Sequence, residues 1–246
     1  MNESNTPPLS RRLAAEAIGT AALVAIVVGS GIAAQRLSPD QVGLQLLENS
    51  TATVFGLAVL ILLFGPVSGA HFNPAVSLAD WLAGRRTGTG LTAAHAGAYC
   101  LSQTGGAIAG AVLANLMFDE SAARISTHDR AGTGHFIGEI VATAGLIALI
   151  FTLARTGRTA VAPAAVAAWI GAAYWFTSST SFANPAVTIG RIFTDTFAGI
   201  APASAPVFII AQVLGALAGL GAVAYFYPTA SAAAEDVVIP HPATTD

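Results

Sequence analysis

Two short segments carry the residues best placed to do chemistry: His71-Phe72-Asn73-Pro74-Ala75-Val76 and Phe182-Ala183-Asn184-Pro185-Ala186-Val187. In each, an asparagine precedes a proline. Proline suits the first turn of a helix, where its missing N–H is no loss. Asparagine before it is a good N-cap, its side-chain oxygen accepting an N–H from the helix end. The NH2 group is then left as a donor. A neutral solute can accept a bond from such an amide, whereas a cation meets the positive end of a helix dipole. This is recognition chemistry rather than bond-making. No Ser/His pair or His/Glu metal motif stands on neighbouring helical turns. His95, His128, His135 and His241 lack ligand spacing. No enzymatic centre, metal site or cofactor is expected.

Two such asparagines act together only if a scaffold holds them face to face, and the composition says what kind. Of 246 residues, 54% are hydrophobic and 9% charged, against about 25% charged in a soluble domain. Such a chain belongs in the lipid bilayer. The net charge of −3 implies no nucleic-acid partner. The lone Cys100 lies in an apolar run and is read as a packing residue. Six stretches reach the ~20 apolar residues of a membrane span: roughly 13–34, 46–67, 91–117, 136–154, 159–177 and 206–227. The first is too long for the apolar core of a signal peptide and reads as a retained helix. The ten basic residues are all Arg. With the N-terminus inside, Arg11, Arg12, Arg85, Arg86, Arg155 and Arg158 are cytoplasmic. Arg36, Arg124, Arg130 and Arg191 are outside, in loops that also carry acids. This bias puts both termini in the cytoplasm.

The two halves match. Glu16 answers Glu139, the first Asn-Pro-Ala-Val answers the second, and Gln103 with Gly106 and Ala107 answers Gln212 with Gly215 and Ala216. Three spans per repeat force the second copy to enter from the opposite face, which makes an inverted repeat with its solute site near the midplane. After each Asn-Pro follows a helical stretch too short to span, 74–84 and 185 to about 193. Eleven residues rise roughly 16 Å, half of a ~30 Å hydrocarbon core. The expected fold is an all-α membrane protein of six transmembrane helices plus two re-entrant half-helices. Its parts are a disordered tail over 1–10, repeat one over 11–117, an extracellular connecting loop over 118–134, repeat two over 135–228 and a disordered tail over 229–246.

The paired Asn-Pro-Ala motifs within such a repeat resemble the aquaporin (major intrinsic protein) family, and the resemblance covers about residues 11–228. It implies a channel for small neutral solutes and water that excludes ions and protons, a homotetramer with one pore per subunit, and a multi-pass protein of the cell membrane. It also implies a central constriction formed by Asn73, Pro74, Ala75, Asn184, Pro185 and Ala186.

In the family a second constriction lies nearer the outside, with Arg usual directly after the second Asn-Pro-Ala. Here that residue is Val187. Counting ungapped from the asparagines, the other filter positions are Thr53, Ala172 and Ser181, with Phe55, Ala173 and Phe182 as alternatives. A ring of Thr, Ala, Ser and Val is wide and uncharged. It points to glycerol-like polyols, urea or neutral metalloid hydroxides such as arsenite, as in wide-filter (aquaglyceroporin-like) bacterial members. A water-selective pore is the alternative. Arg191 lies four residues before Asp195, the spacing of a helical ion pair, or it bends back into the lumen and replaces the missing charge.

Glu16 and Glu139 are costly inside spans and are expected to accept backbone N–H groups of the re-entrant loops, with Gln103 and Gln212 assisting. His71 is expected to hold its loop while carbonyls of Gly69 and Ala70 line the lumen. Gly105, Gly106, Gly110, Gly215, Gly219 and Gly221 are small enough for close helix crossing. A coupled transporter would need more titratable groups along the lumen than these.

Overall fold

The computed structural model describes residues 6–85 and 88–228, and over these it contains helices and no strand. The tail at 229–246, His241 and Arg86 lie outside the described residues. Eight α-helices follow in chain order: α1 (Leu9–Leu37), α2 (Val42–Ser68), α3 (Pro74–Gly84), α4 (Ala93–Met117), α5 (Thr133–Arg155), α6 (Ala162–Phe176), α7 (Pro185–Gly190) and α8 (Ala205–Phe226). Short 3-10 turns precede α6 (Thr159–Val161) and follow α7 (Arg191–Phe193). Among the described residues, six segments are long and apolar enough to cross a membrane. The helix α1 starts at Leu9, inside the stretch expected to be tail. The helix α4 starts at Ala93 because Thr92 caps it, its hydroxyl accepting the His95 N–H at 3.2 Å. Large apolar side chains point outward on the spans, Leu101, Leu62 and Ile210 among them. Only lipid makes such a surface stable.

The inverted repeat is visible in the packing. In repeat one α1 lies against α4, and in repeat two α5 lies against α8. Gly106 and Gly110 face the backbone of Ala17 and Ala21, and Gly215 and Gly219 face Ile140 and Ala144. A Cβ on Gly106 would stand 3.0 Å from the Ala17 Cα, so only glycine allows this crossing. Gly105 and Gly221, expected to serve the same end, face open space instead. Gly105 sits one residue (~100° of helix rotation) from Gly106 and Gly221 two residues (~200°) from Gly219, so both point off the contact stripe.

The half-helices α3 and α7 enter between the spans. Their N-termini meet in the interior, where Asn73 and Asn184 are 4% and 5% exposed. A core cluster running from Leu23 through Val187 encloses the meeting point.

Candidate functional site

Each asparagine caps its half-helix. The Asn73 Oδ1 accepts the Ala75 N–H at 2.9 Å, and the Asn184 Oδ1 accepts those of Ala186 and Val187 at 3.0 and 3.2 Å. The amide nitrogens cross to the other repeat. Asn73 Nδ2 donates to the Ala183 carbonyl at 2.8 Å and Asn184 Nδ2 to the Phe72 carbonyl at 2.7 Å. A primary amide has two N–H groups, so one per asparagine is committed to locking the repeats together. The other remains for a solute.

The loops that deliver the asparagines are strained in the same way. Ala70, Phe72, Ser181 and Ala183 have φ of 48°, 49°, 51° and 48°, the left-handed region that costs non-glycine residues about 1–2 kcal/mol each. The buried glutamates hold them there. Glu16 accepts the N–H groups of His71 at 3.0 Å and Phe72 at 2.7 Å, while Glu139 accepts those of Phe182 at 2.9 Å and Ala183 at 2.8 Å. Gln103 bridges Glu16 to Ser77 (2.7 and 2.9 Å), and Gln212 bridges Glu139 to Thr188 (2.6 and 2.9 Å). Ser77 and Thr188 bond back to the asparagine carbonyls. With their oxygens committed this way, these carboxylates hold the re-entrant loops.

One cavity passes this centre. At one end it is lined by Gly69, Ala70 and His71. The His71 Nδ1 lies 3.1 Å from the Ser77 hydroxyl, and its ring meets Tyr99 edge-on at 5.5 Å. Tyr99 donates to the Ser68 carbonyl and accepts from Arg12.

Along the length of the cavity, α2 lines it with Thr53, Leu57 and Ile61, and α6 with Ala162, Val166, Ile170 and Tyr174. Both series step by four residues, the repeat of a helix face. Ser181, Phe182, Val187 and Arg191 complete the wall. This corrects the sequence reading of α6. Ala172 is exposed on the opposite face, and Ala173 is fully buried behind the lining. The α6 contribution is Tyr174, whose hydroxyl lies 3.3 Å from that of Thr53. The step of four from Val166 and Ile170 is the signal that identifies it. Phe55, the alternative to Thr53, is 69% exposed and faces away.

Arg191 does not pair with Asp195. Asp195 is held by Arg124 (3.3 Å), His128 (3.9 Å) and the Thr127 N–H (2.8 Å). Arg191 is 2% exposed. Its Nε donates to the Ala198 carbonyl and its guanidinium lies 3.4 Å from the centroid of the Phe182 ring. Arg130 approaches the same ring at 5.2 Å and ties down the same outer segment through the carbonyls of Gly199 (2.8 Å) and Phe197 (3.1 Å).

Among the described residues no cluster of His, Cys, Asp and Glu has the makings of a metal site. The arrangement is a lined passage with amide donors where the half-helices meet and a cation in its wall.

Comparison with known proteins gives one consistent result. The family model described as Major intrinsic protein matches residues 3–183. The chain is 51% identical to the aquaglyceroporin AqpS of Rhizobium meliloti, over 86% of this chain and 88% of that one. It is 33% identical to the glycerol uptake facilitator protein of Pseudomonas aeruginosa, over 94% and 95% of the two chains. Among solved structures, the fold is similar to the aquaglyceroporin of Plasmodium falciparum. The TM-score is 0.62 and the identity 19%, over 92% of this chain and all of that one.

Proposed function

The chain belongs to the major intrinsic protein family, whose members are membrane channels and not enzymes, and from that premise we propose a passive pore that admits solutes larger than water. The solutes are glycerol-like polyols and urea, with water beside them. Neutral metalloid hydroxides such as arsenite share their size and hydroxyl character and fall in the same class. The observation that carries this reading is Val187 in the cavity wall, beside Ser181 and Thr53, at the position where the family usually places Arg. Small uncharged side chains there leave width for a three-carbon polyol. The names of the two bacterial relatives, an aquaglyceroporin and a glycerol facilitator, support the same class.

Ions and protons are excluded at the centre. The free amide hydrogens of Asn73 and Asn184 offer donors to a neutral solute, and the facing N-termini of α3 and α7 oppose a cation or a proton-carrying water file. The pore works in a cell inner membrane with both termini cytoplasmic, the arrangement favoured by the arginine bias. Four copies assemble, each with its own pore.

One observation favours a water-selective pore as the second reading: Tyr174 and Arg191 face the same outer stretch as Thr53 and narrow it. Stopped-flow light scattering on proteoliposomes separates the two. Glycerol or urea permeability well above that of empty liposomes supports the wide pore. Water permeability alone would refute it and leave the narrow one.

A further inference from the structure

We propose that Arg191 is the filter cation of this pore, delivered from one helical turn beyond Val187, so that width and charge are set by two different residues. The proposal rests on the channel reading above and concerns what that channel rejects.

The geometry begins with helix direction. Side chains on a helix lean toward its N-terminus and cover the turn before their own Cα. For a residue four positions after Val187, that turn is the level of the outer filter. Arg191 lines the same cavity as Thr53, Ser181 and Val187. Two contacts fix its side chain. Its Nε bonds to the Ala198 carbonyl, and its flat face lies on the Phe182 ring at 3.4 Å. A guanidinium has five N–H groups, and this one commits only the Nε–H to a hydrogen bond among the described residues. The terminal amino groups therefore remain for the lumen.

Among the described residues no carboxylate forms an ion pair with Arg191. Asp195, the carboxylate nearest in sequence, is held by Arg124 and His128. The Glu139 oxygens accept from Phe182, Ala183 and Gln212. Arg130 adds a second positive charge near the Phe182 ring. A cation entering from outside meets this potential before it reaches the asparagines, while a polyol finds donors. With Arg at position 187, one side chain would both narrow the ring and charge it. Here Val187 keeps the ring open and Arg191 supplies the charge.

The test compares Arg191→Gln with Arg191→Lys in proteoliposomes. The readout is the ratio of methylammonium or proton permeability to glycerol permeability. Removing a charge a few ångströms from the path lowers the barrier enough to raise that ratio about tenfold or more in the Gln variant. The Lys variant keeps the charge but loses the planar stack and the Nε bond, and its ratio stays near that of wild type. If Arg191 only anchors the outer segment, Gln and Lys behave alike, and that result overturns the proposal. A Gln variant as tight as wild type does the same. Should Arg191→Gln not accumulate, Arg191→Leu, of comparable bulk, takes its place in the comparison. A wild type that conducts neither water nor glycerol would instead sink the channel reading itself.

Discussion

Asp80 and Arg191 occupy the same position in the two repeats, seven residues after the capping asparagine, and tie down the chain that follows by opposite polarity. The Asp80 carboxylate accepts the Leu91 N–H at 2.7 Å, whereas the Arg191 Nε donates to the Ala198 carbonyl. Both are buried, at 3% and 2% exposure. The fold asks only that this position hold the end of the re-entrant segment, and a carboxylate or a guanidinium does so equally well. The choice of sign is therefore free for function. Arg191 lines the cavity and Asp80 does not.

The cross-repeat amide bonds make the asparagines structural as well as functional. Asn184→Ala removes an N-cap, worth about 1 kcal/mol, and the bond to the Phe72 carbonyl, worth about as much again. The expected loss is ~2 kcal/mol of stability, read as a lower melting temperature in detergent. Asn73→Ala should cost a similar amount, because its bonds are the mirror set. A melting temperature unchanged in both variants would mean these bonds add nothing net.

The crossing glycines offer a contrast within one helix. Gly106→Val places a branched side chain against the Ala17 backbone and should destabilise by about 1–3 kcal/mol through overpacking. Its neighbour Gly105 has open space around its Cβ position, so Gly105→Ala should stabilise by up to ~1 kcal/mol through helix propensity. Thermal unfolding of the two variants side by side checks both signs. Equal effects would show that α1 and α4 are not packed as described.

The contact between Thr127 and Asp195 should loosen in acid. The bond from the Thr127 N–H, followed by that from its hydroxyl, holds the Asp195 carboxyl below the usual carboxylate range. A lowered folded value means the stabilisation is complete above the unfolded pKa of about 3.9. It is lost as pH falls through the folded value. Hydrogen exchange at the Thr127 amide should stay slow from neutral pH down to the unfolded value and become faster below it, after correction for intrinsic rates. Asp195→Ala, which removes the acceptor, should bring fast exchange at neutral pH. Corrected protection that stays flat across this range would contradict the assignment.

Where the sequence spoke clearly, the information was local. Apolar runs of span length, an asparagine cap before a proline and the recurrence of Glu, Asn-Pro-Ala-Val and Gln placed the spans, the half-helices and the inverted repeat. The sites that differed lie beyond breaks in helical geometry. Counting back from Asn184 to α6 crosses 177–183, where Thr180, Ser181 and Ala183 are left-handed, so residue number no longer tracks the helix face. An ungapped count therefore falls on Ala172, whereas Tyr174 lines the cavity. The Arg191–Asp195 spacing assumed a continuing helix, yet α7 ends at Gly190. Thr194 is extended, with φ −138° and ψ 124°, and carries Asp195 away toward the outer loop.

Tyr174 should set the width that Val187 leaves open. Its hydroxyl lies 3.3 Å from that of Thr53 on the neighbouring helix α2, so the two act as one wall. Tyr174→Ala removes a ring from the lining and should raise urea and glycerol permeability more than water permeability. An unchanged ratio would place the limiting width elsewhere.

Val187→Arg tests the open filter from the other direction. A guanidinium at this position occupies the space beside Ser181 and adds a second charge one turn before Arg191. Two neighbouring guanidiniums repel, so the new side chain turns toward the α2 and α6 wall, across the path of a polyol. Glycerol permeability should fall about tenfold or more, since blocking the ring need add only ~1.4 kcal/mol to the barrier for that change. Water permeability should fall much less, because a water molecule needs one donor and less width. Stopped-flow shrinkage and reswelling of the same liposome preparation give both rates. If glycerol and water fall together, the variant has closed or misfolded the pore and its intact size in detergent decides which. If neither falls, Val187 is not part of the narrow ring, and Phe182, whose ring lies against Arg191, becomes the residue to vary.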